Sequence, residues 1–147
     1  MMDPSFLTST REAYIMGTLL AVGVGGFFGA IARFVTVNWV TQYELAIGGI
    51  VMPYGTLAVN VIGSFLLAVF AALVEHHFQP PDHVRLLIAT GFFGAFTTFS
   101  TFANEGLAML SIGNWRTALF YIAITNVLCL MGAALGFFVI GRLLPNA

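Results

Sequence analysis

The stretch GFFGAFTTFSTFANEG, residues 91–106, sets hydroxyls and aromatic rings side by side in an apolar run. Thr97, Thr98, Ser100 and Thr101 alternate with Phe99 and Phe102. The two Phe stand i, i+3, so on a helix they share a face. An aromatic ring carries a positive edge, and two edges aimed inward attract an anion without a formal charge. Gly91, Gly94 and the Thr-rich segment are poor helix formers, which predicts a local unwinding near Gly94 to Thr98. Backbone carbonyls freed there could hold a cation. The competing reading for any one Phe is an ordinary lipid-facing or core ring, since the chain has 15 of them.

Two more polar lines have helical spacing. Thr56, Asn60 and Ser64 repeat at i, i+4, i+8 in GTLAVNVIGSF, and Tyr121, Thr125 and Cys129 do the same further on. An amide at mid-span must face protein or a water-filled path, because leaving it unpaired in hydrocarbon is costly. Asn60 either lines such a path or makes an interhelical hydrogen bond. The Tyr121 line likewise either faces a pathway or bonds neighbouring helices. Cys129 is the only cysteine, so no intrachain disulfide forms. No Ser-His-Asp set, zinc spacing or phosphate loop lies within the apolar runs, so catalysis has no support and the protein is expected not to be an enzyme.

The elements that must carry these lines follow from composition. Of 147 residues, 59% are hydrophobic and 7% charged, and mean hydropathy is +0.96. Soluble domains carry about 25% charged residues, so this is an integral membrane protein. The net charge is −1 and all 5 cations are Arg, which excludes a basic nucleic-acid face. Residues 13–32, 45–74, 86–104 and 117–141 are free of charge. Each run is long enough for the roughly 20 residues of a spanning helix. The prediction is an all-α single domain over 1–147, with helices near 14–37, 48–74, 84–111 and 115–143 and the third broken near its middle. The first apolar run is too long for a signal-peptide core and reads as a retained span. Trp39, Tyr43 and Trp115 fall at span ends, as an aromatic belt requires.

Charges at the ends bear on orientation. Arg11, Arg85 and Arg142 would lie on one side, Arg33 and Arg116 on the other. That bias is small, so insertion in both directions is expected. Two antiparallel copies would then mimic an inverted repeat with sites near the midplane. Arg33 either draws anions into a vestibule or snorkels to the headgroups, and Glu105 is expected to cap or to pair with an Arg. His76, His77 and His83, with Glu75 and Asp82, read as a solvated loop rather than a metal site.

GGFFGAIAR (25–33), GTLAVNVIGSF (55–65) and GFFGAFTTFSTFANE (91–105) resemble the motifs of the small Fluc/CrcB fluoride channels, and the likeness covers nearly the whole chain. The resemblance implies a passive fluoride channel of the bacterial inner membrane, built as a dual-topology antiparallel homodimer with two pathways at the subunit interface. It implies that Thr56, Asn60, Phe99, Ser100, Thr101, Phe102, Tyr121 and Thr125 line the pathway and that Arg33 belongs to a vestibule. It further implies that the Gly94 and Thr97 carbonyls hold a structural sodium ion, Na+. Thr125 stands where serine is frequent, and no role transfers to Cys129. The rival readings are a small proton-coupled drug exporter, which needs a titratable group in the membrane, and a non-transporting scaffold.

Overall fold

The computed structural model describes residues 4–43, 46–47, 50–76 and 78–143. Helix α1 runs Pro4–Thr41, α2 Tyr54–His76 and α5 Trp115–Leu143. The third span is composite. Its first part, α3 (82–96), starts with the α-helical turn Asp82–Arg85, widens into a π-helix over Leu86–Phe93 and returns to α over Gly94–Phe96. Helix α4, Phe99–Ser111, follows the break. Four segments are long and apolar enough to cross a membrane: Arg11–Thr41, Tyr54–Glu75, Asp82–Ser111 and Trp115–Val139.

The boundaries differ from the sequence expectation at two places. Helix α1 begins at Pro4 rather than near 14, because nothing in its polar first turns breaks a helix. Helix α2 begins at Tyr54 rather than near 48. Pro53 has no N–H to give to a preceding turn and fits a helix start, and its carbonyl accepts from Leu57 N at 3.1 Å. Ahead of it, strand β1 (Ala46–Ile47) pairs antiparallel with β2 (Ile50–Val51), Ala46 opposite Val51. Residues 44, 45, 48, 49 and 77, which include part of the first loop and His77 of the second, lie outside the described residues.

The α4–α5 turn is set by Gly113. Its φ of +78° is open to glycine and strained for other residues. Gly113 N donates to Leu110 O at 3.0 Å and Asn114 N to Met109 O at 2.9 Å, the paired bonds of a Schellman stop.

Glycines four residues apart let backbones touch. A Cβ on Gly25 would collide with Leu87 O, and one on Gly29 with Phe92 O. Thus α1 lies directly on the π-helical segment. On the far side, Gly132 and Gly136 bring α5 against the α2 backbone at Val61 and Phe65. A small core gathers Met52, Phe102, Met109, Ala118 and Tyr121, with Tyr54 and Ile122 packed on it.

Candidate ion pathway

The break in the third span lies at Thr97 and Thr98, both extended (φ −84°, ψ 157° and φ −148°, ψ 110°). Gly94, expected inside the unwound stretch, is itself helical at φ −62°, ψ −33°. Asn60 creates the break. Thr98 N donates to Asn60 Oδ1 at 2.8 Å, and Asn60 Nδ2 donates to Thr98 O at 3.1 Å. Both ends of the amide are fixed by this pairing, because an N–H must meet the oxygen.

The clamp has consequences for two carbonyls. In an unbroken helix Thr98 N–H would go to Gly94 O and Thr101 N–H to Thr97 O. The first is diverted to Asn60, and the second goes to the Thr98 side chain, which caps α4 at 3.2 Å. The Thr97 carbonyl meets Arg33 Nη1 at 3.5 Å. Arg33 therefore reaches inward to the break; it does not only snorkel outward. Gly94 and Thr97 carbonyls released from the ladder fit an oxygen-liganded cation such as Na+ in donor type, although the Arg33 guanidinium would share the Thr97 oxygen with it.

A cavity of about 260 Å³ opens beside the clamp, lined by Asn60, Ser64, Thr98, Phe99, Phe102, Thr125 and Cys129 among others. Its polar groups carry no formal charge. Asn60 Nδ2 keeps one N–H beyond the one given to Thr98 O. Thr125 Oγ1 is buried with no hydrogen-bond partner. Ser64 lies in hydrogen-bonding contact with Cys129. The Phe99 and Phe102 ring centroids are 5.6 Å apart and tilted at 53°, but the rings differ in burial: Phe99 is 77% exposed and Phe102 6%.

The remaining residues fall elsewhere. Thr56 and Tyr121 do not line this cavity. They meet at Glu105, where Thr56 Oγ1 donates to Oε1 at 2.7 Å and Tyr121 OH to Oε2 at 2.7 Å. Phe102 connects the two groups, with its ring centroid 5.2 Å from that of Tyr121. Ser100 and Thr101 sit exposed on the first turn of α4, outside the cavity. Thr101 Oγ1 accepts from Thr98 Oγ1 at 2.9 Å, and Ser100 Oγ lies 3.4 Å from the same atom.

Three contributors escaped the sequence reading. Glu105 joins Thr56 to Tyr121; its signal was a carboxylate i+3 from Phe102 on the same helical face. Thr98 is the residue the clamp holds, and only the fold reveals that. Cys129 shares the line of Tyr121 and Thr125, yet the resemblance transferred no role to it, and the fold sets it on the cavity wall. Among the described residues no group of three or more His, Cys, Asp or Glu comes together to hold a metal.

The sequence model of the family described as CrcB-like protein, Camphor Resistance (CrcB), matches residues 20–137. The chain belongs to the CrcB family. That range contains every site residue described above, whereas the first turns of α1 precede it. Similar proteins include the fluoride-specific ion channel FluC of Sulfurovum sp., 42% identical over 85% of this chain and 94% of the relative. Those of Sorangium cellulosum and Campylobacter lari are each 41% identical over 85% of this chain, covering 95% and 98% of the relatives. These relatives are named as ion channels, not as enzymes.

Proposed function

We propose that this CrcB protein is a passive, fluoride-selective channel that works as an antiparallel, dual-topology homodimer in the bacterial inner membrane. The observation that carries this reading is the uncharged donor set around the cavity: the spare Asn60 N–H, the partnerless buried Thr125 hydroxyl and the Phe99 and Phe102 rings. Fluoride holds its water strongly, so a pore that strips that water must replace it with donors. Conduction also requires that no site bind so tightly that the ion stays. Neutral hydroxyls, an amide and ring edges meet both conditions better than a buried Lys or Arg. The names of the relatives support fluoride as the ion. A passive channel of this kind would release fluoride from a cytoplasm that traps it after hydrogen fluoride enters and ionises.

The dimer has its own support. Gly94, Phe99, Ser100 and Thr101 are exposed around the break at mid-span. Irregular backbone and polar groups at that depth are tolerated only when protein or a cavity covers them. A second copy provides the cover and completes the pathway. In that assembly the Gly94 and Thr97 carbonyls would hold Na+, which would fix the two breaks against each other.

Glu105 gives the proton-coupled exporter one observation in its favour, because it is a carboxylate inside the third span. Purified protein in liposomes, read with a fluoride electrode, separates the readings. Efflux of fluoride that ignores a proton gradient, with chloride retained, is the expected result. Equal leakage of chloride, or substrate export that requires the gradient, overturns it.

A further inference from the structure

A second opening lies away from the pathway, between the starts of α2 and α5. It is a groove of about 560 Å³ lined by Met52, Tyr54, Leu57, Arg116, Phe120 and Ile124, with Thr117 at its edge. On α5 its residues point away from the ion cavity. At about 100° per residue, Thr125, Asn126 and Cys129 lie roughly 120–180° around the helix from Phe120. The groove thus opens on the flank opposite the polar face that a second copy would cover.

Depth and charge identify what fits it. Trp39, Tyr43 and Trp115, exposed by 62%, 68% and 55%, cluster at this end of the bundle and mark the headgroup level. Gly55, the second residue of α2, lies so close to Val37 and Thr41 of α1 that a Cβ there would meet both, which brings these two helix ends to one level. Arg116 holds its guanidinium 5.2 Å from the Trp115 ring centroid, and among the described residues it makes no ion pair. The cation described at this end is Arg116; Arg33 turns inward to the Thr97 carbonyl, and the carboxylate of Glu105 is already engaged by Thr56 and Tyr121. An apolar trough that starts at a cation and an aromatic belt matches an acyl chain below an anionic headgroup.

We infer that this groove binds an anionic phospholipid, its phosphate on Arg116 and one acyl chain along Leu57, Phe120 and Ile124. Tyr54 and Thr117 add hydroxyls at the headgroup end. The site is structural and lies outside the ion pathway.

The test is native mass spectrometry of the intact channel released from vesicles of equal phosphatidylglycerol and phosphatidylcholine. The expected result is retained phosphatidylglycerol in preference to phosphatidylcholine by about fivefold, the effect of one basic residue at a membrane surface. Arg116→Gln should abolish the preference, and Ile124→Trp, which fills the trough but keeps the charge, should lower retention of both lipids. Equal retention of the two lipids by the unaltered protein overturns the inference. So does unchanged phosphatidylglycerol retention in both variants, or no retained lipid at all, the outcome if a second copy fills the groove.

Discussion

Replacing Asn60 by Asp keeps the side-chain shape and changes two interactions that can be weighed separately. Oδ1 remains, so the 2.8 Å bond from Thr98 N survives. The donor to Thr98 O, now at 3.1 Å, becomes an oxygen facing an oxygen. Thr98 is only 6% exposed, so its carbonyl is left without that partner at a cost of about 1–3 kcal/mol. The carboxylate also stands on the cavity wall. At about 4 Å and an effective dielectric near 20, two unit charges interact by about 4 kcal/mol. Fluoride in the cavity would feel that repulsion, equivalent to roughly a thousandfold loss of occupancy. Asn60→Ala behaves differently. It releases Thr98 N–H to return to Gly94 O, so the helix can close through the break and the rings of α4 turn away from the cavity. Fluoride-electrode efflux from liposomes and unfolding of the same preparations distinguish the two. Both variants should lose conduction, the Asp variant while keeping its fold with a modest loss of stability. An Asp variant that conducts within tenfold of the wild type would remove the amide from both the pathway and the clamp.

Phe99→Ile should cut fluoride efflux at least tenfold with stability changed by less than about 0.5 kcal/mol, because the ring is exposed in the protomer; Phe102→Ile should cut efflux and also destabilise, since it strips the ring packed on Tyr121. Normal efflux in both would end the ring-edge account. Thr125→Val should reduce efflux while raising stability by about 1 kcal/mol, because it removes a buried hydroxyl without a partner; a thermal-shift measurement that shows destabilisation contradicts this. Gly29→Ala should prevent folding, its Cβ colliding with Phe92 O, whereas Gly23→Ala, with nothing within 4 Å, should fold normally, as size-exclusion profiles will show. Cysteines placed at the termini should be labelled from both sides of the membrane, and labelling from one side alone would defeat dual topology.

Much of the fold was legible because the signals were long. Charge-free runs reported the four spans, whereas which backbones Gly25, Gly29, Gly132 and Gly136 touch emerges only from the fold. The ends were less legible, since a single Pro53 overrode an apolar pattern that continued upstream of it. The π-helix left no trace, as LLIATGFF reads equally well as α-helix. Within the site, spacing grouped Thr56, Asn60 and Ser64 on one face but could not say that they serve different partners. Thr56 answers to Glu105 and Asn60 to the Thr98 backbone, a division of partners that no one-dimensional pattern encodes. Glu105 was expected to cap or to pair with an Arg, and spacing gave no sign of the two hydroxyls on other helices that engage it.

The position of the break explains why an antiparallel pairing suits this chain. The third span runs Asp82–Ser111, with 15 residues before Thr97 and 14 after it. A two-fold axis in the membrane plane carries any group at one depth to the mirrored depth. Only groups at the midplane meet their own copies under that operation, in a self-complementary contact. A break placed a turn or two nearer either surface would leave its loosened carbonyls facing apolar helix in the partner. In the proposed antiparallel pair, a central break would let the Thr97 and Gly94 carbonyls of two copies converge on one point, where a single cation would satisfy both. The much larger apolar surface, including Leu19, Leu20, Phe34, Leu130 and Phe138, needs only lipid. The polar groups at the break are what lipid cannot satisfy, so on the proposed reading the chemistry that opens the pathway would also select the assembly that closes around it.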